Sequence, residues 1–68
     1  MKLAIGSDER THVTDAVLAE LRQRGHELTL FGPLIGAAEA WPAVARGVAE
    51  AVAGGAADEG ILFCWTGT

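Results

Sequence analysis

Residues 2–32 read KLAIGSDERTHVTDAVLAELRQRGHELTLFG and hold the pattern on which the rest of the chain builds. The apolar run at 3–5 is closed by Gly-Ser-Asp, which is typical of a buried strand. Apolar residues then recur at steps of four, one and three within 11–24, which predicts a helix with one apolar face. A second apolar run, 28–31, predicts another strand. The residues of the predicted helix face are Val13, Val17, Leu18 and Leu21.

The same alternation continues to residue 64. Residues 34–40 carry no strong period and predict a loop. Pro42 suits the first turn of a second helix, because its missing N–H needs no partner there. The run 60–64 predicts a third strand, and 65–68 begin a Gly-containing loop. The predicted apolar face of the second helix consists of Ala45, Val48, Ala49 and Val52, and that helix ends at Gly54-Gly55.

Apolar strands that alternate with helices indicate an α/β fold with a parallel sheet covered on both faces. Each crossover should be right-handed. The predicted third strand would leave an uncovered apolar edge, which is an aggregation hazard. We therefore expect residues 1–68 to be the N-terminal part of one larger domain, unstable or stabilised only by partners when alone.

Composition excludes several classes of protein. The 68 residues are 50% apolar and 21% charged, with a formal net charge of −4. That charge argues against nucleic-acid binding, which needs a basic surface. The basic residues are scattered, and no run approaches the roughly 20 apolar residues that span a bilayer, so we expect no membrane partner. A single cysteine, Cys64, gives no disulfide framework and fits the cytoplasm.

Candidate chemistry lies where strands end, because ligands of open parallel sheets bind beyond the carboxyl ends of the strands. Polar loops at 6–10 and 64–68 follow the first and third strands. If those strands are neighbours, Asp8 and Cys64 face one crevice. Cys64 is either a small buried apolar residue or a base or nucleophile. Asp8 could hold a sugar hydroxyl or a metal, or serve only as a turn or helix cap. The spacing predicts no metal cluster.

Several stretches of the sequence form an ordered set of motifs. The first strand runs into Gly-Ser-Asp, the second closes on Phe-Gly, and the third strand and its loop read Gly-Ile-Leu-Phe-Cys-Trp-Thr-Gly-Thr. The full set is residues 1–8, 24–27, 31–32, 41–42, 48–55, 57–58 and 60–68. In these motifs the chain resembles, over its whole length, the ribose-5-phosphate isomerase B / galactose-6-phosphate isomerase family, whose third strand and loop read Gly-Ile-Leu-Ile-Cys-Gly-Thr-Gly. This resemblance implies a Rossmann-like three-layer α/β/α fold, of which this chain holds the first three strands.

The resemblance implies an aldose–ketose isomerase that acts on a sugar phosphate through a cis-enediolate, without a metal or organic cofactor. Cys64 matches the family's base, and Thr66 matches a residue implicated in opening the sugar ring. It also implies a homodimer or homotetramer with sites between subunits, so the 68 residues alone should be inactive. The substrate-binding residues that it implies are Asp8, Glu9, Trp41, Trp65, Gly67 and Thr68.

Three of the implied site residues depart from the family pattern. Glu9 stands where the family usually has a histidine, and its charge would repel a phosphate. Trp65 replaces a glycine of the loop, and Trp41 replaces a tyrosine. These departures keep a second hypothesis open, a non-catalytic sugar- or phosphate-binding module on the same fold. A third hypothesis is a flavodoxin-like domain that binds phosphate through residues 66–68. This hypothesis is weaker, because the phosphate-binding loop of such a domain should follow the first strand.

Overall fold

The computed structural model describes residues 1–36 and 40–63. The predicted order of three strands and two helices is confirmed, with bounds that differ by one or two residues. Cys64 of the predicted third strand, and the loop at 65–68, lie outside the described residues. The elements are β1 (Lys2–Ser7), α1 (His12–Gln23), β2 (Glu27–Phe31), a 3-10 turn (Gly32–Ile35), α2 (Trp41–Ala53) and β3 (Glu59–Phe63).

The three strands form one parallel sheet in the order β2-β1-β3, so the first strand is central. Ile5 lies opposite Leu30 on one side and Ile61 on the other. Because side chains alternate across a strand, this register sends whole rows of apolar residues to the same face. The predicted parallel sheet is therefore confirmed, and the first and third strands are neighbours, as the predicted crevice requires.

One face of the sheet packs against α1. Ile5 is fully buried there, and Leu3 and Leu18 are almost so. Leu34, from the 3-10 turn, joins the same cluster. Burial of each such side chain contributes roughly 1.5–3 kcal/mol. This cluster is the larger part of the core.

The other face packs against α2 at very short range. A Cβ placed on Gly6 would lie 2.6 Å from Val44 Cγ1 and 3.0 Å from Val48 Cγ2. Gly60, on β3, is similarly close to Val48, at 2.8 Å from its Cγ1. The absence of side chains at these two strand positions lets the helix backbone approach the sheet.

The buried faces of the helices differ in part from the predicted ones, although Leu18 and Val48 are buried as predicted. In α1 the buried residues are Thr14 and Leu18, whereas Val13 is 43% exposed. In α2 they are Val44 and Val48, whereas Val52 is 37% exposed. α2 lies close to the central strand, because Gly6 admits the methyl groups of Val44 and Val48. α1 contributes Leu18 to the cluster of Leu3 and Ile5.

The loop predicted at 34–40 was partly wrong. It begins inside the 3-10 turn Gly32–Ile35, which closes with a hydrogen bond from Gly36 N–H to Pro33 O at 3.0 Å. The physical reason is Leu34, which is 96% buried against the α1-side core and holds the turn on the sheet. Residues 37–39 of that predicted loop lie outside the described part of the chain.

Replacement of Gly6 by alanine should destabilise the protein, because the new methyl group collides with a stiff β-branched side chain. We expect Gly6→Ala to cost about 1–3 kcal/mol, the usual range for an overpacked core. Urea unfolding of a full-length protein that carries residues 1–68, followed by far-UV circular dichroism, measures the loss. In a Val44→Ala background the same change should cost clearly less, since the colliding methyl is gone. Equal costs in both backgrounds would contradict the contact.

Candidate functional site

The carboxyl ends of β1 and β3 lie side by side. Ser7 is the register partner of Phe63, and the Asp8 N–H donates to the Phe63 carbonyl at 3.4 Å. The hydrogen-bonded ladder thus extends one residue past the end of β1. Residue 64 follows Phe63 directly in the sequence, so the polar loops after the two strands start from neighbouring points.

Ser7 orders the loop that follows β1. Its side chain is fully buried, and its hydroxyl donates to the Glu9 carbonyl at 2.6 Å. The Glu9 N–H lies 3.3 Å from the same oxygen and donates to it. One hydroxyl therefore holds both backbone groups of Glu9, while Asp8 is half-buried and the Glu9 side chain is exposed. Sequence reasoning missed Ser7, although a serine two residues before a turn is a signal of this local bond.

The start of α1 holds the other end of that loop. The Thr14 N–H donates to Thr11 Oγ1 at 3.3 Å, and the Thr11 N–H donates to Thr14 Oγ1 at 2.9 Å. The Thr14 hydroxyl also donates to the Thr11 carbonyl at 2.8 Å. This is a capping box with threonine at both positions. Because α1 begins here, the positive end of its dipole lies at the carboxyl edge of the sheet, where it stabilises anions.

The charges on the loop are arranged unevenly. Glu9 presents an exposed carboxylate. Arg10 Nε donates to Asp15 Oδ1 at 3.0 Å, and both side chains are about half exposed. Part of the Arg10 charge is therefore neutralised by Asp15, a pair of the kind that contributes about 0–1 kcal/mol. Among Asp8, Glu9, Arg10 and Asp15, three carboxylates accompany one guanidinium.

Trp41 is the first residue of α2 and is half-buried. Because α2 follows β2 and runs back across the sheet, its start lies on the carboxyl side. The structure describes three of the predicted site residues: Asp8, Glu9 and Trp41. Each lies in a segment on the carboxyl side of the sheet. The other five predicted site residues lie outside the described residues: Cys64, Trp65, Thr66, Gly67 and Thr68.

Within residues 1–36 and 40–63, no group of three acidic, histidine or cysteine side chains is placed to hold a metal ion. Over the same ranges, no helix combines the length and hydropathy that a membrane crossing requires.

A parallel sheet with helices on both faces, whose first and third strands end side by side, defines a doubly wound α/β protein. The family model described as Ribose/Galactose Isomerase matches residues 3–68. The chain therefore belongs to the ribose/galactose isomerase family of sugar-phosphate isomerases. It corresponds to the N-terminal part of the proteins in that family.

Two individual proteins are similar to this chain. Ribose-5-P isomerase B of Listeria innocua serovar 6a is 35% identical over 68 residues, which are 98% of this chain and 46% of that protein. The solved structure of Clostridium thermocellum ribose-5-phosphate isomerase B is 37% identical, with a TM-score of 0.74. That match covers 94% of this chain and 44% of the solved one. The chain thus spans just under half the length of each.

Removal of the Ser7 hydroxyl should loosen the loop without unfolding the sheet. We expect Ser7→Ala to cost about 0.5–1.5 kcal/mol, the net value of an ordinary hydrogen bond. The Glu9 amide should also exchange with solvent faster, because it loses its acceptor. Hydrogen exchange followed by NMR measures both effects. Thr29→Ala, at an exposed position of β2, is the control and should leave Glu9 exchange unchanged. Equal Glu9 exchange in Ser7→Ala and the parent would contradict this role.

Proposed function

We propose that residues 1–68 supply one wall of the active site of an aldose–ketose isomerase that acts on a sugar phosphate. The observation that carries the proposal is the pairing of β1 with β3, extended by the Asp8–Phe63 hydrogen bond. It makes Asp8 and the residue after Phe63, which is Cys64, starting points of adjacent loops. The membership of the family supports the same reaction class.

In the proposed mechanism Cys64 is the base. Its thiolate removes the proton from C2 of the open-chain aldose, and the electron pair of that C–H bond forms the C1=C2 bond of a cis-enediolate. The π pair of the C1 carbonyl moves to O1, which takes up the proton that leaves the C2 hydroxyl. The Cys64 thiol returns its proton to C1 as the C2 carbonyl forms, so the product is the ketose and no oxidant or cofactor is consumed. A thiol has an ordinary pKa near 8.5 and is a competent base once partly ionised.

The remaining residues are proposed to bind and position the sugar. Backbone N–H groups from Trp65 to Thr68, including Gly67, would stabilise the enediolate oxygen as its charge develops. Thr66 would assist ring opening, and Asp8 would accept hydrogen bonds from sugar hydroxyls. The α1 N-terminus favours the anionic end of the substrate. Glu9 and Trp41 would line the same crevice.

The whole enzyme is proposed to act in the cytoplasm as a homodimer or homotetramer, with a small sugar phosphate as its partner and no nucleic acid or membrane. Residues contributed after position 68 in full-length relatives would complete the site. The 68 residues alone are therefore expected to be inactive.

A second candidate function is supported by the charges at the edge. The exposed Glu9 carboxylate and the Arg10–Asp15 ion pair leave little positive side-chain charge on the β1–α1 loop. An unphosphorylated sugar would suit this loop better than a sugar phosphate would. The second candidate is therefore a non-catalytic module that binds an unphosphorylated sugar. Turnover and binding assays separate the two functions.

The role of Cys64 predicts a selective loss of turnover. The assay protein joins residues 1–68 to the part of the Listeria innocua isomerase that this chain does not cover. Cys64→Ala in it should lower kcat at least about 10²-fold, the lower range for a positioned general base. Calorimetric affinity for a sugar-phosphate analogue should change little, because Cys64 is not proposed to bind the phosphate.

Cys64→Ser is the matched variant and should also be poor, since a hydroxyl is hardly ionised at neutral pH. If Cys64→Ala kept near-full activity, another residue would have to be the base. A parent chimera that binds the analogue without any turnover would favour the non-catalytic module.

The position of Glu9 predicts an effect on substrate affinity. In the same chimera, Glu9→His should lower KM for phosphorylated sugars, because it removes a negative charge and adds a hydrogen-bond donor. Steady-state kinetics with phosphorylated and unphosphorylated sugars measures the difference. Glu50→His, at an exposed position in the last turn of α2, is the control and should leave KM unchanged. An unchanged or raised KM in Glu9→His would place Glu9 away from the phosphate.

A further inference from the structure

An open pocket lies between α1 and β2, on the side of the sheet away from β3. It encloses about 390 Å³, which is within the range of roughly 300–1,000 Å³ that is usual for small-molecule sites. Its exposed lining is largely polar, although three leucines contribute to it. The lining residues are Arg10, Asp15, Leu18, Arg22, Leu30 and Leu34, and the space is called the α1–β2 pocket below.

One wall of the α1–β2 pocket is a single face of α1. Asp15, Leu18 and Arg22 are spaced by three and four residues, so they lie on the same side of the helix. Leu18 is 5% exposed and forms the floor, whereas Asp15 and Arg22 are exposed at the rim. Long helical side chains lean toward the N-terminus of their helix, so the Arg22 guanidinium extends back toward Asp15.

The opposite wall of the pocket is apolar. Leu30, on β2, is half-buried, and Leu34, in the 3-10 turn, is 4% exposed. Both belong to the cluster of core residues on the α1 side of the sheet, which fixes the shape of this wall. Because such a wall excludes water from one side of the pocket, a charged bond at the rim is stronger than it would be in bulk water.

The charges at the two ends of the pocket differ. At one end Arg10 Nε donates to Asp15 Oδ1 at 3.0 Å. The Nη groups of Arg10 can still donate and the Asp15 carboxylate can still accept, which suits a hydroxyl group, because a hydroxyl does both. At the other end, Arg22 forms no ion pair within residues 1–36 and 40–63. That end therefore carries an uncompensated positive charge.

The α1–β2 pocket is separate from the candidate site between β1 and β3. The loop after β1 bonds in two directions: the Asp8 N–H donates to the Phe63 carbonyl on β3, whereas Arg10 bonds to Asp15 on α1. The central strand β1 lies between β3 and β2. A ligand bound to Arg22 therefore does not occupy the space next to Phe63.

We propose that the α1–β2 pocket binds a short phosphorylated polyol, with its phosphate on Arg22 and its hydroxyl groups on Asp15 and Arg10. Arginine forms bidentate, charge-assisted hydrogen bonds with phosphate oxygens. Inorganic phosphate alone would use Arg22 but would leave the hydroxyl-binding end empty. The pocket is a second ligand site of the protein, and it does not depend on catalysis by Cys64.

The test uses the chimera that joins residues 1–68 to the part of the Listeria innocua isomerase that this chain does not cover. Its leucine methyl groups are isotopically labelled, and α-glycerophosphate is titrated into it while NMR spectra are recorded. The methyl signals of Leu30 and Leu34 should shift and saturate together, because both side chains line the pocket. Absence of a shift at these two leucines would overturn the proposal.

Arg22→Gln removes the uncompensated charge. It should weaken binding of both α-glycerophosphate and inorganic phosphate at least about tenfold, because a charge-assisted hydrogen bond is lost. Arg46→Gln is the matched control, since Arg46 is an exposed arginine on α2, and both affinities should match those of the parent. Affinities are read from the Leu30 and Leu34 signals, so binding at the proposed active site does not enter the comparison. Equal affinities of Arg22→Gln and the parent would overturn the proposal.

Asp15→Ala distinguishes the polyol from its phosphate. Binding of α-glycerophosphate should weaken, because a hydroxyl loses its acceptor. Inorganic phosphate should bind as tightly as before or more tightly, because a neighbouring carboxylate is gone. Circular dichroism checks that α1 stays folded, which is expected because the Thr11–Thr14 capping box is untouched. An equal loss for both ligands, or no loss for either, would overturn the assignment of a polyol phosphate to this pocket.

Discussion

The close contact between β1 and α2 is the constraint on which the rest of the structure depends. Gly6 has no Cβ, and one placed there would lie 2.6 Å from a methyl group of Val44. Because the helix backbone can therefore come down onto the central strand, Val44 is fully buried and Val48 nearly so. Overpacking at such a point costs about 1–3 kcal/mol, a large fraction of the stability of a small domain.

The same central strand links the core to the candidate site. It is paired on both sides, and Ser7 at its end is fully buried with its hydroxyl bonded to both backbone groups of Glu9. The loop is thus bonded to the sheet at one end and to the Thr11–Thr14 capping box at the other. The loop is therefore held by hydrogen bonds at both ends. This support suits the proposed isomerase, because its catalytic base must lie within about 3–3.5 Å of the reacting carbon.

Much of the fold could be predicted because local patterns encode it. The apolar runs of the strands, the helical spacing of 11–24 and Pro42 at the start of α2 each specify an element without reference to distant residues. Family membership was predictable as well, because the motifs occur in order along the chain. Of the candidate site, Asp8 followed from its position after a predicted strand, whereas the adjacency of the first and third strands was only a condition, which the observed sheet order meets. Ser7 was missed, because its importance lies in a hydroxyl that bonds to backbone two residues away.

The linear pattern was sufficient for the type and order of the elements, since strand and helix periodicities are properties of neighbouring residues. It could not specify how each helix is rotated on the sheet. The pattern predicted that Val13 and Val52 face inward, but the structure buries Thr14 and Val44 instead. The rotation of α2 depends on which strand is central and on where glycines permit close approach, and both are settled by long-range pairing. The exposure of Leu62 has the same origin, because α2 approaches β3 at Gly60, at the start of that strand.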